Sequence, residues 1–185
     1  MLERYKGRPE DTDRRMDKEV RVYDLLDELG IEYDRLDHEP ADSSAPEVCR
    51  EVEASLGARI CKNLFLANRQ RTKFYLLMMP DDKVFRSSDV SRQAGSSRLH
   101  FAEPEYMEKY LDTTPGSASV MGLMNDTDRA VQLLVDEDLL KQEYIGCHPC
   151  INTSSLRIRS GDIFGKFLEH TGHTGYITVH IESQQ

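Results

Sequence analysis

The sequence has no run of about 18 apolar residues, the length that a membrane-spanning helix requires. Its first residues are polar and carry charges of both signs, without the apolar core of a secretory signal. Only four cysteines occur in 185 residues, and a chain of this length buries enough apolar surface to fold without disulfides. These absences predict a cytoplasmic protein that does not span a membrane and keeps its cysteines as thiols.

Positive charge is also scarce, with 24 lysines and arginines against 33 acidic residues and a net charge of −9. Broad, sequence-independent coating of nucleic acid is therefore excluded, because that affinity comes from neutralised phosphates. A small basic patch that grips one end of a nucleic acid remains compatible with this balance. The sequence has no G-x-S-x-G elbow, P-loop or dinucleotide fingerprint, so nothing supports the enzymes that use them.

The hydrophobic pattern predicts helices alternating with short strands and one β-hairpin, within a single domain over residues 18–185 and after a polar extension over 1–17. Predicted helices cover 18–29, 46–56, 87–93, 104–111 and 161–170, with one helical turn at 137–141. Predicted strands cover 31–36, 60–68, 73–79, 131–135, 155–158 and 176–181, the second and third of which form the hairpin. A short extended run is predicted around 98–101, and 144–148 is predicted as an edge strand or a loop. The fold class is α+β, with a mixed sheet and helices packed on it.

Lys62 and Asn63 stand at the head of an otherwise apolar strand, 64–66. A desolvated or cleft-facing ammonium at such a place can hold a phosphate or a developing oxyanion. The alternative is that Lys62 extends its charge to solvent from the strand end.

A run of small residues follows at Gly116, Ser117, Ala118 and Ser119, with Gly122 close behind. Backbone N–H groups in such a run can converge on an anion or a carbonyl oxygen. Taken alone, the run is equally typical of a surface turn.

The segment 146–150 contains a C-x-x-C spacing around His148. Cys147 and Cys150 raise the alternatives of a zinc site or a redox dithiol, but no second ligand pair lies at close spacing, and the motif comes too late in the chain for a thioredoxin-like protein. His148 is a candidate for orienting substrate or carrying a proton, or else a structural histidine beside a proline.

Several segments together, in their order and spacing, resemble the YbaK/prolyl-tRNA-synthetase-associated editing family, in particular its free-standing prolyl-tRNA deacylase branch. The resemblance covers about residues 18–170. The segments that carry it are VYDLLDELGIEY (22–33), DHEP (37–40), KNLFL (62–66), FYLL (74–77), SRLHFA (97–102), PGSAS (115–119), GLMND (122–126), GCHP (146–149) and NT (152–153).

The resemblance implies a strongly curved, barrel-like central sheet and a hydrolase that removes a wrongly attached amino acid, alanine above all, from proline tRNA. It matches Lys62, Asn63 and His148 to catalytic positions, and the loop Gly116–Val120, with Gly122, to the substrate-binding loop. The family's loop commonly carries proline where this chain has Val120. No cofactor or metal is expected, and the partner is the acceptor end of mischarged proline tRNA.

A pocket built for proline rejects a smaller apolar amino acid weakly, since each missing methylene is worth about 1–3 kcal/mol. A second, smaller sieve that admits alanine solves this problem. We expect its walls to come from the helix 22–29 and from the strand near Leu36 and His38. Candidate phosphate contacts surround the hairpin: Arg59, Arg69, Arg71 and Lys73.

Three questions stay open at this point. The same hydrolase could act on tRNA charged with cysteine, serine or threonine, or the chain could be a non-catalytic module that binds aminoacyl-tRNA or an amino acid. The protein could be a monomer or a homodimer.

Overall fold

The computed structural model describes residues 1–42 and 44–183. The strands are β1 (Arg4–Lys6), β2 (Tyr33–Asp37), β3 (Cys61–Ala67), β4 (Phe74–Pro80), β5 (His100–Phe101), β6 (Val131–Asp136), β7 (Tyr144–Cys147), β8 (Ser154–Arg159) and β9 (Ile177–Val179). The helices are α1 (Asp17–Glu28), α2 (Pro46–Leu56), α3 (Ser87–Gln93), α4 (Pro104–Leu111), α5 (Ser160–Asp162) and α6 (Leu168–Thr171). Two 3₁₀ helices span Val120–Asn125 and Leu139–Lys141, and a π-helical segment, Ile163–Phe167, joins α5 to α6.

The strands form two sheets rather than the one central sheet expected from the sequence. The first is antiparallel in the order β1-β2-β8-β7, and the second is mixed in the order β5-β3-β4-β6-β9. As far as the chain is described, neither sheet closes on itself, so the fold is α+β without a closed barrel. The predicted hairpin is confirmed as β3 and β4, with Cys61 paired to Pro80 and Ala67 to Phe74.

Apolar side chains are divided among three layers. The inner core lies between the sheets and takes α1, one face of β3, β4 and β6, and the inward residues of β7 and β8. The α2 cluster, on the outer face of the first sheet, consists of Leu36, Ala41, Val52 and Leu56 with Ile60 packed against it. The outer face of the second sheet packs against α3 through Leu66, Leu77 and Met79.

The two sheets meet where the start of β3 runs beside β7. Ile60 forms a parallel bridge with Gly146, and the Gly146 N–H donates to the Arg59 carbonyl at 2.8 Å. A β-carbon at Gly146 would lie 2.9 Å from that oxygen, so only glycine permits this approach. Because side chains alternate along a strand, Ile60 and Lys62 emerge on one face of β3, and Gly146 and His148 on one face of the neighbouring segment.

The polar segment 1–17 takes part in the first sheet, although the sequence suggested an extension outside the core. Arg4, Tyr5 and Lys6 form β1, which pairs with β2 while all three side chains stay exposed. Arg15 bonds both Glu19 and Asp37. The pairing uses backbone groups, so it leaves no hydrophobic period in the sequence.

No helix in the described part of the chain is long and apolar enough to cross a membrane.

Candidate functional site

Lys62 is exposed at the head of β3 and forms no hydrogen bond or ion pair with residues 1–42 or 44–183. Its register partner is Met79, which belongs to the outer face of the second sheet. Lys62 therefore presents its ammonium on the outer face of the second sheet, two residues along the chain from Ile60, which packs against the α2 cluster.

Asn63 was predicted to share the site with Lys62, but the structure turns its side chain to the inner face. Its amide nitrogen donates to the Cys61 carbonyl at 3.1 Å and lies 3.3 Å from the Cys61 sulfur. Its register partner Met78 is an inner-core residue. The Asn63 Oδ1 atom is buried without a hydrogen-bond partner in the described residues. The two adjacent residues thus face opposite sides of the strand.

His148 and His38 lie together on the outer face of the first sheet, with ring centroids 6.2 Å apart. His148 Nδ1 lies 2.9 Å from the Ser154 carbonyl oxygen, and His38 Nδ1 lies 2.7 Å from the Glu39 carbonyl oxygen. A carbonyl only accepts, so these partners assign the proton of each neutral ring to Nδ1. The Ser155 hydroxyl then donates to His38 Nε2 at 2.8 Å and lies 3.3 Å from His148 Nδ1, and His148 Nε2 is left without a proton.

Burial holds the pKa of His148 below its ordinary value of 6.5, against the opposing effect of the Ser154 carbonyl. Burial likewise lowers the pKa of His38. Desolvation disfavours the charged imidazolium, so both rings are neutral at pH 7. His148 therefore offers a basic nitrogen at physiological pH.

Leu36 is fully buried in the α2 cluster, next to the histidine pair along the outer face. The helix that covers this face is α2, through Val52 and Leu56. The sequence-based expectation places the pocket wall on helix 22–29, and the structure packs Val22 and Leu26 of that helix into the inner core. The apolar surface beside His38 and His148 is thus built by α2 and the loop after β2.

The glycine-containing loop reaches the same region from the second half of the chain. A β-carbon on Gly116, whose φ is +90°, would lie 3.2 Å from Asp42 Oδ2 and 3.6 Å from Asn152 Nδ2. Ser117 stiffens the loop, since its hydroxyl donates to the Thr114 carbonyl at 2.9 Å and accepts from the Thr114 N–H at 3.0 Å. Within the described chain the N–H groups of Gly116 and Ala118 have no acceptor. They are free to meet a ligand oxygen.

The later residues of the predicted loop are core residues instead. Ser119 and Val120 are fully buried, and Val120 packs in the inner core. Gly122 is pressed against α4, where a β-carbon would lie 2.9 Å from the Leu111 carbonyl oxygen. Val120 is the first residue of a 3₁₀ helix, a position where proline also fits, and the Ser119 hydroxyl caps that helix.

Sequence reasoning missed three residues of this region: Asp42, Asn152 and Ser155. Ala41 N–H donates to the Asn152 carbonyl at 2.8 Å, which brings the loop after β2 against the start of β8. Asp42 stays ionised, because hydrogen bonds from Ser44 lower its pKa. The D-H-E-P motif stops two residues before Asp42, and nothing in the local pattern marks it.

The buried thiols are poor nucleophiles and poor metal ligands as they stand. Burial raises the pKa of Cys150 to about 12 and of Cys61 to about 11, and it also raises the pKa of Cys147 well above its ordinary value. In the described residues, no three His, Cys, Asp or Glu side chains come together as a metal site.

The outer faces of the two adjoining sheets thus carry the Lys62 ammonium, unpaired within the described residues, and the neutral His148 beside the α2 cluster. The loop at Gly116 and Ala118 adds two backbone N–H groups without an acceptor in the described residues. A model of the aminoacyl-tRNA editing domain family matches residues 38–164, which is more than half of the chain and contains all these groups. The chain belongs to the aminoacyl-tRNA editing domain family. The predicted family is confirmed, as is the enzyme class, an aminoacyl-tRNA deacylase that hydrolyses ester bonds.

Relatives extend the match over nearly the whole chain. The prolyl-tRNA editing protein ProX of Acetoanaerobium sticklandii is 28% identical, over 86% of this chain and 95% of its own. Prolyl-tRNA synthetase associated domain-containing protein 1 of Danio rerio is 29% identical, over 88% of this chain and 87% of its own. A solved structure described as a candidate trans-editing enzyme for prolyl-tRNA synthetase has the same fold, with a TM-score of 0.68 at 17% identity, and the match covers 91% of this chain and 99% of that one.

The lowered histidine pKa values predict how activity depends on pH. As pH falls through the depressed pKa of His148, its Nε2 takes a proton and can no longer accept a hydrogen bond, so kcat/KM should fall below about pH 6.5. Stability falls in the same range, because the unfolded histidine binds its proton at a higher pH than the folded one. A pH-rate profile recorded well below the melting temperature separates the two effects.

In the His148→Gln variant, the fall in kcat/KM at acidic pH (the acid limb of the profile) should disappear, and the rate at neutral pH should be lower. The His38→Gln variant controls for the second histidine. An unchanged acid limb in His148→Gln would contradict the role given to this nitrogen.

Proposed function

We propose that the chain hydrolyses the ester of alanine wrongly attached to proline tRNA, releasing alanine and tRNA with a free 3′ end. The observation that supports the proposal is the bridge between Ile60 and Gly146, which joins the strand of Lys62 to the segment of His148. The Gly116 loop adds to this support, since it packs against Asp42 and Asn152. An aminoacyl ester is activated enough to be hydrolysed without a protein nucleophile, provided that its carbonyl is polarised and an oxygen is well placed.

Lys62 supplies the positive charge in this mechanism. Its unpaired ammonium anchors the terminal phosphate or the ester, and it stabilises negative charge that develops on the carbonyl oxygen. The N–H groups of Gly116 and Ala118 are held ready to donate to the same oxygen, because Ser117 fixes the turn. These donors act mainly on the transition state, in which the oxygen carries a full charge.

The attacking oxygen comes from water, because attack by the 2′-hydroxyl of the terminal adenosine would only move the amino acid to that oxygen. His148 Nε2 orients the water by accepting its hydrogen, and the Ser154 carbonyl fixes the ring through Nδ1. Asn63 holds the head of β3 from the inner face rather than touching substrate. Ser119, Val120 and Gly122 support the loop from the core.

The size of the amino acid is limited by the packed α2 cluster, in which Leu36, Ala41 and Val52 are buried, with His38 close by. A methyl group fits beside this cluster, whereas the proline ring needs room that α2 occupies. Asp42 adds a carboxylate near the loop and matches the positive α-amino group of the amino acid. The proposed place of action is the cytoplasm, and the proposed macromolecular partner is the acceptor end of proline tRNA.

The test is a single-turnover deacylation assay with proline tRNA carrying alanine, cysteine, serine, threonine or proline. We expect alanine to be released fastest and proline at least about a hundredfold more slowly, since proline cannot enter the sieve. If no ester is cleaved faster than in buffer, the chain is not this hydrolase. If cysteine, serine or threonine is released faster than alanine, the reaction stands and the assigned substrate is wrong.

A further inference from the structure

Three exposed cations lie at or beside the tip of the β3–β4 hairpin. Arg69, Lys73 and Arg98 are exposed, and none forms an ion pair or a hydrogen bond with a side chain of the described residues. Of the other cations predicted to contact phosphate, Arg59 pairs with Asp81 and Asp82, and Arg71 pairs with Glu103. The structure therefore separates free cations at the tip from those that are already neutralised.

These cations come from two separate parts of the chain. The turn between β3 and β4 supplies Arg69 and Lys73, while Arg98 comes from the segment that leads into β5. This segment lies beside the turn, because Ala67 pairs with His100 and the Ser97 hydroxyl lies 3.5 Å from the Gln70 side-chain oxygen.

An exposed aromatic ring adjoins the hairpin-tip cations. Phe101 is 61% exposed on the edge strand β5, and its ring centroid lies 5.6 Å from that of Phe85. Cations together with an accessible aromatic ring are typical of surfaces that bind nucleic acid. In a chain of net charge −9, such a local patch must overcome the general repulsion of a polyanion.

The distance from the patch to Lys62 indicates which part of a tRNA it would meet. Lys62 stands near the opposite end of β3 from the hairpin tip, and at about 3.3 Å per residue the two are about 20 Å apart. At about 3.4 Å per nucleotide along a strand, this distance corresponds to about six nucleotides. The unpaired 3′ end of a tRNA is four nucleotides long, so the patch lies level with the first base pairs of the acceptor stem.

We propose that Arg69, Lys73 and Arg98 form a binding surface for the phosphates of the tRNA acceptor stem, while the 3′ end enters the pocket at Lys62. This proposal rests on the proposed deacylase function and adds where the stem is held. The surface does not recognise the base sequence of the tRNA, because contacts to phosphate position a nucleic acid without identifying its bases.

The test compares wild-type protein with the triple variant Arg69→Ala, Lys73→Ala, Arg98→Ala. Binding of uncharged proline tRNA is measured by fluorescence anisotropy over a range of salt concentrations. Each lost phosphate contact should lower the slope of log K against log salt by about 1, so we expect a slope smaller by about 3 and binding about tenfold weaker or more at low salt. Replacement of the two arginines by lysine should preserve the slope.

Deacylation supplies the second readout. The triple variant should lose about tenfold or more in kcat/KM on an alanine-charged acceptor-stem minihelix and nothing on an alanine-charged CCA trinucleotide, which is too short to reach the patch. Lys6→Ala, which removes an exposed cation from β1 in the other sheet, is the matched control and should match wild type on both substrates.

An unchanged salt slope would overturn the proposal, and so would an equal loss on the trinucleotide, which would indicate damage to the pocket. Failure of the deacylase function gives a different result. In that case the wild-type protein binds tRNA with the expected salt slope but cleaves no ester, and the binding surface still stands.

Discussion

Replacing Lys62 with alanine should reduce the single-turnover rate of deacylation about 10²- to 10³-fold, the usual loss when one group that stabilises a developing oxyanion is removed. Stability should barely change. The Lys62 side chain is exposed and forms no hydrogen bond or ion pair with the described residues, and substitutions at such surface positions usually stay within about 0.5 kcal/mol. Lys62→Arg should retain part of the rate, since it keeps the charge but changes its shape.

Rate and binding distinguish the two tasks assigned to Lys62. A fall in the rate at saturating enzyme indicates stabilisation of the transition state, while a rise only in the half-saturating concentration indicates anchoring of the terminal phosphate. Lys6→Ala again serves as the control for the loss of one surface charge. Full activity in Lys62→Ala would exclude this residue from the mechanism.

Replacing Gly146 with alanine should damage stability and activity together. The new β-carbon would lie 2.9 Å from the Arg59 carbonyl oxygen and 3.2 Å from the Ile60 Cα, both backbone atoms that cannot turn aside. The start of β3 must then move away from β7, at a cost of about 1–3 kcal/mol for overpacking. For a chain of this size, this corresponds to a melting temperature lower by about 2–12 °C.

Activity should fall further than stability alone explains, because the same bridge joins the strand that carries Lys62 to the segment that carries His148. Gly161→Ala is the matched control. Gly161 has nothing within 4 Å of its β-carbon position and lies in α5, where alanine should be neutral or stabilising by up to about 1 kcal/mol. If Gly146→Ala melts like wild type and deacylates normally, the junction between the sheets does not organise the site.

Local patterns in the sequence predict the fold well where an element carries its own signal. The β3–β4 hairpin is an example, since two apolar runs flank a charged turn and the register follows. The strand β1 shows the opposite case, because Arg4, Tyr5 and Lys6 pair through backbone atoms and expose every side chain. Likewise, the division into two sheets depends on which strands become neighbours, and this is decided by packing between distant segments.

The same contrast holds for the candidate site. Lys62, His148 and Gly116 are unusual among their neighbours in sequence, so they could be singled out from residue types and the family resemblance. The orientation of Asn63 could not be predicted, because a strand turns adjacent side chains to opposite faces and only the register with β4 shows which face is which. The position of α2 beside the histidine pair was not predicted, because the amphipathic patterns of α1 and α2 do not show which apolar layer each helix covers.

The most direct test of the site is a crystal structure of the protein with a stable amide analogue of 3′-alanyl adenosine. We expect its alanyl methyl to lie against Leu36 and Val52 on the outer face, with its carbonyl oxygen within hydrogen-bonding distance of the Lys62 ammonium and the Gly116 or Ala118 N–H. An analogue bound on the inner face beside Asn63 and Cys61, or away from β3 altogether, would contradict this account.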